Sequence, residues 1–228
     1  MSRNPLIVAA DVADPAAAAA LAERLAGMIA FLKVGLELFV AAGPAAVERV
    51  RDRIPVFLDL KLHDIPNTVG AAAREAGRLG VGLLTVHALG GPDMVRAAVD
   101  GAAKGAAEAG RDGPRVIAVT VLSSLAGEGL ASPASLAFEA VEAGAAGVVV
   151  SGADVAEVRQ AIGESPIVVV PGIRPTGVSG NDHARVLTPG EALERGADYL
   201  VVGRPVTGAP DPAAAAAAIL REVGIDPS

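Results

Sequence analysis

Asp59, Lys61 and Asp64 lie in and just beyond a run that otherwise reads as a buried strand, VFLDLKLHDIPNT at residues 56–68. Side chains alternate faces along a strand, so Asp59 and Lys61 should project from one face, with Asp64 on the turn that follows. Charges among apolar neighbours are costly unless paired, and they often mark function. Lys33, in FLKVG, adds a fourth charge to the group. Buried ion pairs are weak stabilisers that apolar packing can often replace, so four interleaved charges argue for a site rather than a brace. A Schiff-base aldolase using Lys33 or Lys61 would need a neutral amine, and flanking carboxylates favour the ammonium. Fixed charges suit electrostatic stabilisation and proton transfer instead.

Two loops supply a different chemistry. Pro171-Gly172-Ile173-Arg174 and Val202-Gly203-Arg204-Pro205 combine backbone N–H groups with guanidinium forks, donors that suit a phosphate. A phosphorylated substrate is expected.

These residues need a scaffold that brings them together. Short β-branched runs recur at residues 6–10, 30–34, 56–60, 83–87, 116–121, 147–150, 167–170 and 199–202, separated by Ala-rich amphipathic segments of helical length. Alternating strands and helices imply right-handed βαβ units and a parallel sheet, and eight such units predict an α/β fold, the (β/α)8 TIM barrel. Asp14-Pro15 and Asp211-Pro212 read as N-caps before poly-Ala helices, and Thr188 with Glu191 as a capping box. Gly27, Gly80, Gly110, Gly144 and Gly196 stand where helices should stop. Barrel enzymes carry their chemistry at the C-terminal ends of the strands. Those ends hold, in order, Asp11, Lys33, Asp59 with Lys61 and Asp64, His87, Thr120 with Ser123, Ser151, Gly172 with Arg174, and Gly203 with Arg204.

Composition narrows the options. No linker divides the 228 residues, so residues 1–228 are expected to form one domain. With 52% hydrophobic but only 2% aromatic residues, the core should be built from Val, Leu, Ile and Ala. A net charge of -7 opposes general attraction to nucleic acid or anionic lipid. The absence of cysteine removes disulfides, thiolate nucleophiles and Cys-ligated metals. The first apolar run is too short for a signal peptide and no run approaches the roughly 18 residues of a membrane helix, so a soluble, cytoplasmic chain is expected.

Taken in order, Asp11, FLKVG, DLKLHDIPNT, AVTVLSS, PGIRP and VGRPVT resemble the orotidine 5′-phosphate decarboxylase family nearly end to end. The resemblance implies decarboxylation of orotidine 5′-phosphate to UMP, without metal or organic cofactor, by a charged tetrad of Lys33, Asp59, Lys61 and Asp64. It implies a homodimer in which Asp64 and Thr68 enter the partner's site. Asp11 and Lys33 would contact ribose hydroxyls, Ser123 the pyrimidine edge, and Arg174, Gly203 and Arg204 the phosphate. Where close relatives carry Gln after an Asn-Asp or Gly-Asp pair, this chain has His183 after Asn181-Asp182. Histidine there can still donate to a phosphate or pyrimidine oxygen, with binding that weakens as pH rises through the histidine range. His63 is expected to make a structural hydrogen bond, His87 to be structural or to line the pocket, and residues 123–132 and 174–182 to form lids. Alternatives are an Mg²⁺-dependent keto-sugar-phosphate decarboxylase sharing the DxKxxD core, and a non-catalytic nucleotide-binding barrel.

Overall fold

The structure, a computed structural model, describes residues 4–121, 131–175 and 187–226. Eight parallel strands close in sequence order into a barrel: β1 (Leu6–Ala9), β2 (Phe31–Gly35), β3 (Val56–Leu62), β4 (Leu83–His87), β5 (Arg115–Val119), β6 (Gly147–Val149), β7 (Ile167–Pro171) and β8 (Tyr199–Val202). The predicted strands are all present. Around them run α1 (Pro15–Leu25), α2 (Leu36–Ala42), α3 (Ala45–Glu48), α4 (Pro66–Leu79), α5 (Gly91–Glu108), α6 (Pro133–Glu142), α7 (Val155–Ile162), α8 (Pro189–Glu194), α9 (Arg204–Thr207) and α10 (Pro212–Glu222). The caps form as expected: Asp14 accepts from Ala16 N–H, Asp211 from Ala213 and Ala214 N–H, and Thr188 and Glu191 close their reciprocal box.

Strand parity separates two apolar layers. Leu6, Val8, Leu32, Val34, Val56, Leu58, Leu84 and Val86 face the helices. Ile7, Phe31, Phe57, Leu83, Ile117, Ile167 and Tyr199 fill the barrel interior. The expectation of a purely aliphatic core is corrected here, because three of the chain's five aromatic residues occupy that interior. The centre of an eight-stranded barrel must be filled by side chains, and with Gly147 and Ala9 among the inward positions the remaining space takes large rings. Phe31 meets Tyr199 edge to face at 5.5 Å between centroids and 80° between planes.

The next inward positions toward the C-terminal ends of β2, β3 and β4 are Lys33, Asp59 and Thr85. The hydrophobic floor therefore ends where the polar residues begin. Helix α4, which starts just after the Asp64 turn, packs backbone to backbone on α5: a Cβ on Gly77 would run into the Ala102 carbonyl, and one on Gly105 into that of Arg74. At the opposite, N-terminal end, buried Arg159 bonds the carbonyls of Gly163, Pro166 and Gly196 and pairs with Asp198 at 2.7 Å, bracing β7 and β8.

Candidate active site

A continuous line of charge crosses the mouth of the barrel. Lys33 Nζ lies 3.4 Å from Asp11 Oδ1 and 3.4 Å from Asp59 Oδ2. Lys61 donates from Nζ to Asp59 Oδ1 at 2.8 Å and Oδ2 at 2.9 Å. The Thr85 hydroxyl donates to Asp59 Oδ1 at 3.0 Å. Side-chain exposure rises from 12% at Asp59 and 13% at Lys33 to 31% at Lys61 and 59% at Asp11, so the line runs from a buried carboxylate out to solvent. Burial alone would push the Asp59 carboxyl up. Lys33 and Lys61 beside it, with hydrogen bonds from Lys61 and Thr85, outweigh burial and hold it below the usual carboxylate range. Asp59 is thus ionised at neutral pH, and both lysines are anchored to it.

The backbone at Lys61 departs from the simple alternation expected. Its φ is 50°, the one positive φ at a non-glycine among the described residues, and the β3–β4 register shifts between Leu58 and Leu62. A left-handed residue within a strand breaks the pleat. The Lys61 N–H donates to the Thr85 hydroxyl at 2.8 Å, and the side chain folds back onto Asp59. Asp59 and Lys61 do converge, but through a bulge rather than through regular two-residue spacing.

Asp64 is the predicted tetrad member that does not join this line. It is exposed, its carboxylate accepts the Ile65 N–H at 2.6 Å, and among the described residues no cation pairs with it. Thr68, in the first turn of α4, is exposed on the same segment. Gly203 backs onto Asp11, since a Cβ there would lie 3.5 Å from Asp11 Oδ2; exposed Arg204 follows as the first residue of α9. Arg174 follows β7, its N–H bonded to the Leu187 carbonyl at 3.1 Å. Ser123 and His183 lie outside the described residues, as do most of the two expected lids.

His63 and His87 stack with ring centroids 5.3 Å apart. His87 Nδ1 accepts the Leu89 N–H at 3.4 Å, capping the turn after β4. Burial, with His63 and then Lys61 nearby, pushes the His87 imidazole down. Among the described residues no cluster of three His, Asp or Glu side chains forms a metal site.

Sequence reasoning missed Thr85, which is fully buried. The available signal was parity, because Thr85 shares the inward face of LLTVH with His87. Gly35 also went unremarked; a Cβ there would come within 3.2 Å of Lys33 Nζ, so glycine leaves room for the ammonium.

The model of the family described as orotidine 5′-phosphate decarboxylase / HUMPS matches residues 4–219. The chain belongs to that family. An orotidine 5′-phosphate decarboxylase of Anaeromyxobacter dehalogenans is 54% identical over 225 residues, covering 94% of this chain and 96% of that protein. One from Moorella thermoacetica is 48% identical over 234 residues, covering 97% and 93%. The crystal structure of the Lactobacillus acidophilus orotidine 5′-phosphate decarboxylase superposes with a TM-score of 0.84 at 38% identity, covering 97% of this chain and 99% of that one. The resemblance read from DLKLHDIPNT and the loops after β7 and β8 is a membership of the family, and the predicted barrel is that of its solved relatives.

Proposed function

We propose that the protein decarboxylates orotidine 5′-phosphate to UMP in de novo pyrimidine biosynthesis. The observation that carries this is the Lys61 ammonium held by both oxygens of an ionised, buried Asp59 at the mouth of the barrel. Breaking the bond from C6 to the carboxylate leaves its electron pair on C6 as CO₂ departs. That carbanion lies in the ring plane, with little conjugation to spread it. An ammonium already in place stabilises the developing charge at no cost of reorganisation and then gives its proton to C6. Asp59 orients Lys61 and, being anionic, lies against the departing carboxylate. Lys33 and Asp11 are the ribose contacts, and Gly203, Arg204 and Arg174 hold the phosphate. Phosphate binding energy then serves closure over the ring as well as affinity. Ser123 reads the pyrimidine edge and His183 adds a hydrogen bond.

The active species is a homodimer, with Asp64 and Thr68 completing the partner's site. Two features support this. Asp64 has no cation in its own chain among the described residues, and large apolar side chains stand exposed after the same strands: Leu36 and Val40 on α2, Ile65 beside Asp64, and Leu89 after β4. Apolar surface rimmed by polar residues marks an interface. No helix among the described residues is long and apolar enough to cross a membrane, and the reaction belongs to the cytoplasm.

The test is loss of orotidine 5′-phosphate absorbance with purified protein in EDTA. Turnover there supports this reading over an Mg²⁺-dependent keto-sugar-phosphate decarboxylase and over a silent nucleotide-binding barrel. A protein that binds UMP but leaves orotidine 5′-phosphate intact, with or without Mg²⁺, would overturn it.

A further inference from the structure

We infer that Thr85 is a positioning residue for this decarboxylation, its single hydroxyl fixing both the backbone and the counter-ion of Lys61. The inference rests on the proposed reaction. Thr85 is wholly buried on the inward face of β4, where a strand would ordinarily present an apolar side chain to the barrel interior. A hydroxyl has one proton to give and two lone pairs to receive with. Here the Lys61 N–H occupies a lone pair at 2.8 Å, and the proton goes to Asp59 Oδ1 at 3.0 Å.

Each bond answers a need created by the bulge. The register shift between Leu58 and Leu62 takes the Lys61 N–H out of regular pairing with β4, and a buried amide without an acceptor is costly. Thr85 supplies that acceptor, so the left-handed backbone at Lys61, unfavourable for a side-chain-bearing residue, is held where it is. The same oxygen then holds the carboxylate that the ammonium of Lys61 grips from the other side. Asp59 Oδ1 thus has two donors, Thr85 and Lys61, while Oδ2 faces Lys61 and Lys33. Without the hydroxyl, Asp59 is free to rotate toward Lys33 and Lys61 loses its fixed aim at C6. Among the described residues, the hydroxyl of Thr85 bonds only Lys61 and Asp59, and it meets the groups proposed to hold ribose or phosphate only through them.

The consequence is a split between chemistry and binding. Thr85→Val, nearly the same size, removes both bonds, and Thr85→Ser keeps both. We expect kcat of Thr85→Val to fall roughly 10- to 100-fold, the scale of a small misplacement of a catalytic group, while the UMP dissociation constant stays within about threefold of wild type. Thr85→Ser should recover most of kcat. If burying valine prevents folding, Thr85→Cys against Thr85→Ser gives the same comparison, the thiol being a weak donor and acceptor; Cys should be slow and Ser fast. The inference is overturned if the hydroxyl-free variant turns over like wild type, if Ser is as slow as Val or Cys, or if UMP binding weakens in step with kcat. Wild-type protein that fails to consume orotidine 5′-phosphate would instead remove the reaction itself, an outcome read before any variant is made.

Discussion

Lys61 Nζ bridges the two oxygens of Asp59 at 2.8 and 2.9 Å while the Lys61 backbone stands at φ 50°. A lysine reaching a carboxylate two residues earlier on a flat strand would be free to swing; here a turn in the backbone returns it to one place.

Lys61→Ala should therefore remove both the stabilising charge and the proton donor. The expected loss in kcat is on the order of 10³-fold or more, with UMP affinity changed by less than tenfold. Steady-state decay of substrate absorbance and calorimetric titration of UMP check the two halves. A kcat within tenfold of wild type would assign the proton to another group.

Arg204→Ala should act on the other end of the substrate. Losing a guanidinium that holds phosphate costs roughly 1.5–3 kcal/mol of binding, which reads as a KM raised about 10- to 150-fold. Restored activity on adding guanidinium ion would tie the defect to the missing charge, and an unchanged KM would move the phosphate elsewhere.

Mixing inactive Lys61→Ala with inactive Asp64→Ala tests the shared site. After subunit exchange, a heterodimer holds one doubly damaged site and one intact site, so activity should return to about one quarter of wild type for random pairing in a symmetric dimer. If nothing returns after demonstrated exchange, Asp64 serves its own subunit.

Asp59 also gives the protein an acid limit. A carboxyl whose native pKa lies below its unfolded one, about 3.9, favours the folded state only while ionised. Its contribution is complete above the unfolded value and is lost as pH falls through the lower native value. Lys33, Lys61 and Thr85 set that direction against burial. Urea midpoints of wild type should fall as pH drops below about 4 more steeply than those of Asp59→Asn, and equal slopes would show that Asp59 is not the titrating group.

The α4–α5 contact yields a stability prediction independent of the chemistry. Gly105→Ala puts a methyl group against the Arg74 carbonyl and should cost about 1–3 kcal/mol as overpacking, seen as a lower urea midpoint. An unchanged midpoint would mean that the two helices separate without penalty.

Much of this site could be read from the chain because a charge in an apolar run is conspicuous and parity says which way it faces. Lys33, Asp59 and the loops ending in Arg174 and Arg204 are of that kind, and so are the eight strands. The bulge at Lys61 was not legible, because the acceptor of its backbone N–H, the hydroxyl of Thr85, lies in another strand. The aromatic interior was hidden for a similar reason: Phe31, Phe57 and Tyr199 are far apart in sequence, and only closure of the barrel shows that they share one space. Asp64 gave its residue type but not its counterpart: among the described residues no cation pairs with it.

Asp11, two residues beyond the end of β1, is followed by Lys33, Asp59 and Thr85 within β2, β3 and β4, each handing its contact to the next. The hydrogen-bond ladder is therefore the ruler by which the reactive atoms are spaced. Sliding β2, β3 or β4 by a single residue would turn its polar side chain outward into the helix layer and cut the line at that link. Partial activity from a misregistered barrel is consequently not available to this protein: folding correctly and acquiring a working charge array are one event, and turnover itself reports the register of β2 to β4.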